Sequence, residues 1–153
     1  TPIGEALPVE IASQDDRVNC DRPVFVDALQ PEHPITAGLP WARRPPVIGG
    51  FNRLTASSDS ETLLEAVTHF AEKSSIGFAI SEVERNPLLV VGHHGEGRTA
   101  ALATDVAPHW VGPLVDWGDD RISAAAPGTE GVEVGNLYAT FLEQLLSWAG
   151  QER

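Results

Sequence analysis

Methionine is absent from the 153 residues, and cysteine occurs once, at Cys20. A lone cysteine forms no internal disulfide, and a reducing, cytoplasmic setting is the simplest fit. Basic residues are scarce: 10 Lys and Arg face 22 Asp and Glu, for a net charge of −12. Such a surface repels phosphate backbones and anionic headgroups, which argues against nucleic-acid and membrane partners. Its plainest role is solubility. No apolar run approaches the length of a membrane span, and no signal-peptide core precedes anything. Neither CxxC nor HExxH occurs, so no metal-ligand set is visible and none is expected. Without a methionine, the numbering is not expected to begin at a translation start. Thr1 is expected to be the new end of a cleaved protein or the edge of an expressed fragment.

What remains is an ordinary globular composition, 42% hydrophobic and 21% charged, sized for one domain with a substantial core. The most informative stretch is Pro87–Trp110. Leu88–Val91 is a short apolar run of the kind that fills a buried strand. Gly95-Glu96-Gly97 reads as a turn, Thr99–Thr104 as a second strand. Asp105–Trp110 then leaves the sheet as a loop carrying a carboxylate, an imidazole and an indole.

Elsewhere the signals are coarser. Pro2–Leu7 reads as a helical or turn segment, Val9–Ile11 and Pro23–Val26 as strands, and Gln30–Pro40 as a loop. Val47–Ala56 is strand-like but broken by Gly49-Gly50, a pairing that suggests a bulge or a close backbone approach. Thr62–Val67 fits either strand or helix by its residues, and Ile76–Ser81 reads as a strand. Asn86-Pro87 is taken as the start of the central hairpin. Asp116–Val132 reads as an irregular surface excursion. Asn136–Gly150 is the strongest helix: Leu137, Phe141, Leu145 and Trp148 share one face, widened by Leu142 and Leu146. Asn136 is the expected cap and Gly150 the expected stop.

The segments His33–Pro40, Pro87–Arg98 and Thr104–Trp110, with Thr1–Arg17 and the closing helix around Trp148, resemble the class I glutamine amidotransferase-like superfamily. The nearest branch is the amidotransferase group related to the trehalose-utilisation (ThuA-like) proteins. The resemblance covers most of the chain, and is weaker over about residues 69–86 and 118–134. It implies an α/β fold, the C-terminal part of a flavodoxin-like domain, with a mixed sheet and a C-terminal helix, and it favours strand for Thr62–Val67. It also implies an N-terminal half, carrying the nucleophile elbow, that would reach this chain as a second polypeptide of the same precursor.

On that resemblance His109 sits near the place of the triad histidine, and an imidazole can serve as general base near neutral pH. The bland alternative is a loop histidine tied to backbone. Asp105 either orients that ring or simply caps the turn. Trp110 either walls a pocket or packs in the core. Adjacent His93 and His94 point to opposite faces of a strand, so they suit an exposed strand end, with His93 the candidate for substrate contact. Asn52 and Arg53 follow the glycine pair; Arg53 either clamps a carboxylate or makes a surface or subunit ion pair. His33, in a Pro-containing loop, reads as structural. Cys20 lacks the glycine neighbours of a nucleophile elbow, and the adjacent Asp21 opposes thiolate formation. Thr1, as a new N-terminus, could use its own amine as base for nucleophilic attack. Adventitious cleavage is the competing explanation.

The reading is thus an amidotransferase-like hydrolase subunit acting on a small amide or related C–N bond, without a cofactor. His109 and Asp105 (with Thr1 or the partner's nucleophile) would carry the reaction. Asn52, Arg53, Trp110 and His93 would contact substrate. The alternative is a ligand-binding or assembly domain that kept the fold and lost the triad. A homo-oligomer is compatible with either.

Overall fold

The computed structural model describes residues 2–106 and 109–151, without the side chains of residues 82 and 83. Thr1 therefore lies outside the described residues. Helix α1 (Pro2–Ala6) leads to β1 (Val9–Glu10) and the long β2 (Arg17–Ala28). After the loop through His33–Pro40 come β3 (Val47–Asn52), β4 (Thr55–Ala56), β5 (Glu61–Ser74), β6 (Gly77–His94) and β7 (Gly97–Leu102). A 3-10 turn at Gly112–Asp116 precedes β8 (Arg121–Ala124), β9 (Val132–Gly135) and helix α2 (Asn136–Ala149).

Five strands form the main sheet in the order β3-β2-β5-β6-β7, beside two-stranded pairs β1-β4 and β8-β9. Every pairing among the described residues is antiparallel, where a mixed sheet was expected. The reason is local. Two connections, β5–β6 and β6–β7, are two-residue hairpins, the second at Gly95 with its φ of +59°, and hairpins force antiparallel neighbours.

The sheet curls until its two sides meet. The Ala103 N–H donates to Leu88 O at 2.7 Å, and Ala103 O accepts the Asn52 N–H at 2.8 Å. The residue just beyond β7 thereby stitches β6 to β3. Phe51, Leu63, Leu64, Leu88 and Leu89 of the strands and Phe141 of α2 are fully buried in one hydrophobic core. Trp41 meets Phe141 edge-on at 5.5 Å and Trp117 at 4.5 Å.

Thr62–Val67 is strand. Asn86-Pro87 does not start a hairpin: β6 runs straight through it, and the irregular register around Thr62–Glu65 on β5 accommodates a proline that has no N–H to give. The excursion 116–132 is more regular than expected, since it contains β8, which pairs with β9 at Val132–Gly135. Helix α2 begins on Gly135 as cap rather than on Asn136, whose Oδ1 instead accepts the Asp120 N–H at 3.4 Å. Tyr138, Phe141 and Trp148 are its buried residues, whereas Leu146 is 70% exposed and lies off the packed face.

Candidate functional site

The loop after β7 is organised by Asp105. Both of its carboxylate oxygens accept the Trp110 N–H, at 3.0 and 2.9 Å, and Oδ1 also takes the Val111 N–H at 2.6 Å. A carboxylate accepting backbone N–H groups across its own loop fixes that loop's path. Its distance to His109 is different: Nδ1 and Oδ2 are 3.8 Å apart, too far for a hydrogen bond. Of the two roles open to Asp105, the structure forms the turn cap and makes no orienting bond to His109.

Trp110 is the second anchor. Its indole lies over Gly50, where an added Cβ would stand 2.5 Å from Cδ1, and its carbonyl accepts the Gly49 N–H at 2.7 Å. The paired glycines thus serve a close approach, as their sequence suggests. The Trp110 Nε1–H donates to Asn19 Oδ1 at 2.8 Å. The neighbouring Thr104 hydroxyl donates to Gly50 O at 3.0 Å. On this fixed indole the His109 ring stacks at 5.8 Å and 28°, with its side chain 78% exposed. The result is an exposed imidazole stacked on a seated indole.

Asn52 and Arg53 are engaged elsewhere. The Asn52 side chain donates to Asp16 Oδ1, and the Arg53 N–H to Asp16 O at 2.9 Å. Arg53 Nε lies 3.6 Å from Glu84 Oε1, an exposed ion pair. Among the described residues, neither side chain is bonded to the His109 loop. His93 is also separate. It pairs in register with Arg98, lies 6.4 Å from the Trp148 ring, and shares a cleft of about 340 Å³ with His33 and Glu61. His33 has a structural bond, its Nδ1 accepting the Ile35 N–H at 3.2 Å, and burial pushes its pKa down. The Arg98 guanidinium covers Trp148 at 5.1 Å and donates to the Trp148 carbonyl, tying the end of α2 to β7.

Cys20 is half-buried and packs against the core. Burial first, then Asp21, raise its thiol pKa, so it is held away from the thiolate. Its neighbour Asn19 is the residue that the sequence did not single out. The signal was Trp110 itself, since a partly buried indole N–H needs an acceptor. Among the described residues no group of three or more His, Cys, Asp or Glu gathers as a metal would require, and no helix is long and apolar enough to cross a membrane.

Two solved structures resemble this chain. One is "Cytoplasmic Protein STM3548 from Salmonella typhimurium", with a TM-score of 0.67 and 25% identity over 97% of this chain. The other is "Cytoplasmic Protein STM1381 from Salmonella typhimurium LT2", with a TM-score of 0.67 and 26% identity over 99% of this chain. This chain spans 46% of each of them, less than half of either length. No curated protein matches the sequence. The family model described as "Putative glutamine amidotransferase" matches residues 1–122. That is most of the chain, and the chain belongs to this glutamine amidotransferase-like family.

Proposed function

We propose that this chain is the C-terminal portion of an amidotransferase-like hydrolase domain of flavodoxin-like plan, from the ThuA-like branch, working in the cytoplasm. It presents His109 to a site completed by a second polypeptide, the N-terminal half of the same precursor. The observation that carries the reading is the exposed imidazole on a locked platform, His109 stacked on Trp110 with 78% of its side chain open. Membership of the family supports the reaction class. The 46% span of the two similar structures is in keeping with a further segment.

In this reading the substrate is a small amide. His109 takes the proton from a nucleophile on the partner half (or from Thr1) as it attacks the carbonyl carbon. It returns that proton to the leaving nitrogen as the C–N bond breaks. Trp110 offers the edge of its ring as a pocket wall. Asn52, Arg53 and His93 would have to reach substrate from their present ion-paired or separate positions, so their contribution is to binding and not to proton transfer.

A second reading, a binding or assembly domain, is favoured by Asp105, whose oxygens hold backbone rather than His109. One experiment separates the two. Native mass spectrometry of the purified protein asks whether a second polypeptide accompanies the 16.4 kDa chain in equal amount. Ammonia release from small amides is then compared with that of His109→Ala. Release that falls at least 100-fold in the variant supports the hydrolase. Full release by a folded variant, or none from the two-chain protein, overturns it.

A further inference from the structure

The β5–β6 hairpin extends well beyond the sheet. Pairing between β2 and β5 stops at Val24–Thr68, and β7 joins β6 only from Leu89 onward. From His69 to Ser81 the two strands hold only each other among the described strands. A two-stranded ribbon is marginal in water by itself. This one is also apolar. Ile76 at its tip is 97% exposed, Phe78 72% and Ile80 71%. Opposed residues of a hairpin share a face, so Phe78 with Lys73 and Ile80 with Ala71 line one side. That side continues into an open groove of about 930 Å³, lined by Phe25, Trp41, Val67 and His69.

We propose that a second copy of this chain covers the arm, the outer edge of β6 pairing antiparallel with itself about a two-fold axis at Ala79. A two-fold normal to a sheet keeps each face on its own side, so residues of equal parity meet. An axis at Ala79 sets Phe78 opposite Ile80 of the partner subunit, twice, on the apolar face. It makes a four-stranded ribbon of two marginal hairpins. The charges suit a like partner. The chain carries −12, which opposes self-association over most of its surface, yet residues 70–81 hold one Glu and one Lys and sum to zero. Glu72 and Lys73 lie on β5, the flanking strand of that ribbon, and neither is brought onto the axis to meet its own image.

Area sets the strength. Covering Ile76, Phe78 and Ile80 removes about 350 Å² per copy, short of the roughly 800 Å² per partner of a standard interface. The dimer is therefore weak and concentration-dependent. An exposed edge with a lysine beside it is also how a protein discourages pairing, and a strict monomer is the competing outcome. The proposal is independent of the amidotransferase reading.

Sedimentation of the full 153-residue chain over a wide concentration range is the test. The mass is expected to rise from 16.4 kDa toward twice that. The double variant Phe78→Ser, Ile80→Ser is expected to weaken association at least 10-fold. Both positions are exposed, so its circular dichroism and melting should follow the parent. Ile122→Ser, an exposed apolar position on β8, should leave association unchanged. Ala79→Cys in a Cys20→Ser background is expected to form an interchain disulfide on mild oxidation, because directly opposed strand residues have Cα atoms within disulfide reach. A monomer at every concentration overturns the proposal and leaves the arm to a different polypeptide. A dimer indifferent to the double variant, or one that Ala79→Cys fails to link, overturns it as well.

Discussion

The Trp110 indole occupies the space that any side chain at Gly50 would need, with Cδ1 2.5 Å from where a Cβ would stand. Gly50→Ala is expected to push the indole off β3, break its bond to Asn19 and destabilise the protein by roughly 2 kcal/mol, as overpacking of a fitted contact does. Urea unfolding measures this. A change below 0.5 kcal/mol, on the order expected of ordinary surface substitutions, would mean that the loop is not seated there.

Asp105→Ala leaves the Trp110 and Val111 N–H groups without their acceptor. Loss of partly buried hydrogen bonds to a carboxylate predicts destabilisation of about 2 kcal/mol. If Asp105 acted chiefly by orienting His109, stability would hardly move. Chemical denaturation of the variant distinguishes the two.

Phe141 is fully buried where α2 meets Trp41. Phe141→Ala should cost about 3–5 kcal/mol, the range for emptying a core aromatic site. Leu146→Ala, five residues along and 70% exposed, should cost little. Thermal unfolding of both variants tests whether the helix sits as described.

Asp15 is hydrogen-bonded by the Arg17 side chain and backbone, which lower its pKa from 3.8 to about 2. Its folded-state pKa is depressed, so its stabilising contribution is present above about pH 4 and lost as pH falls through about 2. Arg17→Ala should return the Asp15 titration toward 3.8. Carboxyl carbon shifts followed by NMR read this directly.

His33 moves in the same sense for a different reason. Burial lowers its pKa below 6.5, against a smaller upward pull from Glu61. The unfolded state binds this proton more readily, so its contribution is present above pH 6.5 and is lost as pH falls through the lower folded value. His33→Gln should flatten the pH dependence of melting in that window. An unchanged slope would place the dependence in another group.

The strands that carry the site were legible because their signals are local. Leu88–Val91 is apolar throughout and buried, and the Gly49-Gly50 pair announced a close approach that Trp110 fulfils. The helix was legible from its spacing, although Leu146 shows that periodicity marks a face only to within a residue or two. Other features depend on distant partners and left no local trace. Nothing in Asn86-Pro87 reveals that irregularity in β5 lets β6 continue through it. Nothing near Arg53 points to Glu84, and nothing near Asn19 points to Trp110, 91 positions away. The antiparallel order of the sheet was missed because the resemblance implied a mixed sheet, while pairing depends on which segments the chain itself supplies.

The seat of Trp110 draws on β2 through Asn19, on β3 through Gly49 and Gly50, and on Asp105 beyond β7, where Ala103 closes the curl. Contacts of such long sequence separation must pay loop-closure entropy before they are rewarded. The imidazole platform therefore needs β2, β3 and the loop beyond β7 in place together, and loss of any one of them unseats Trp110.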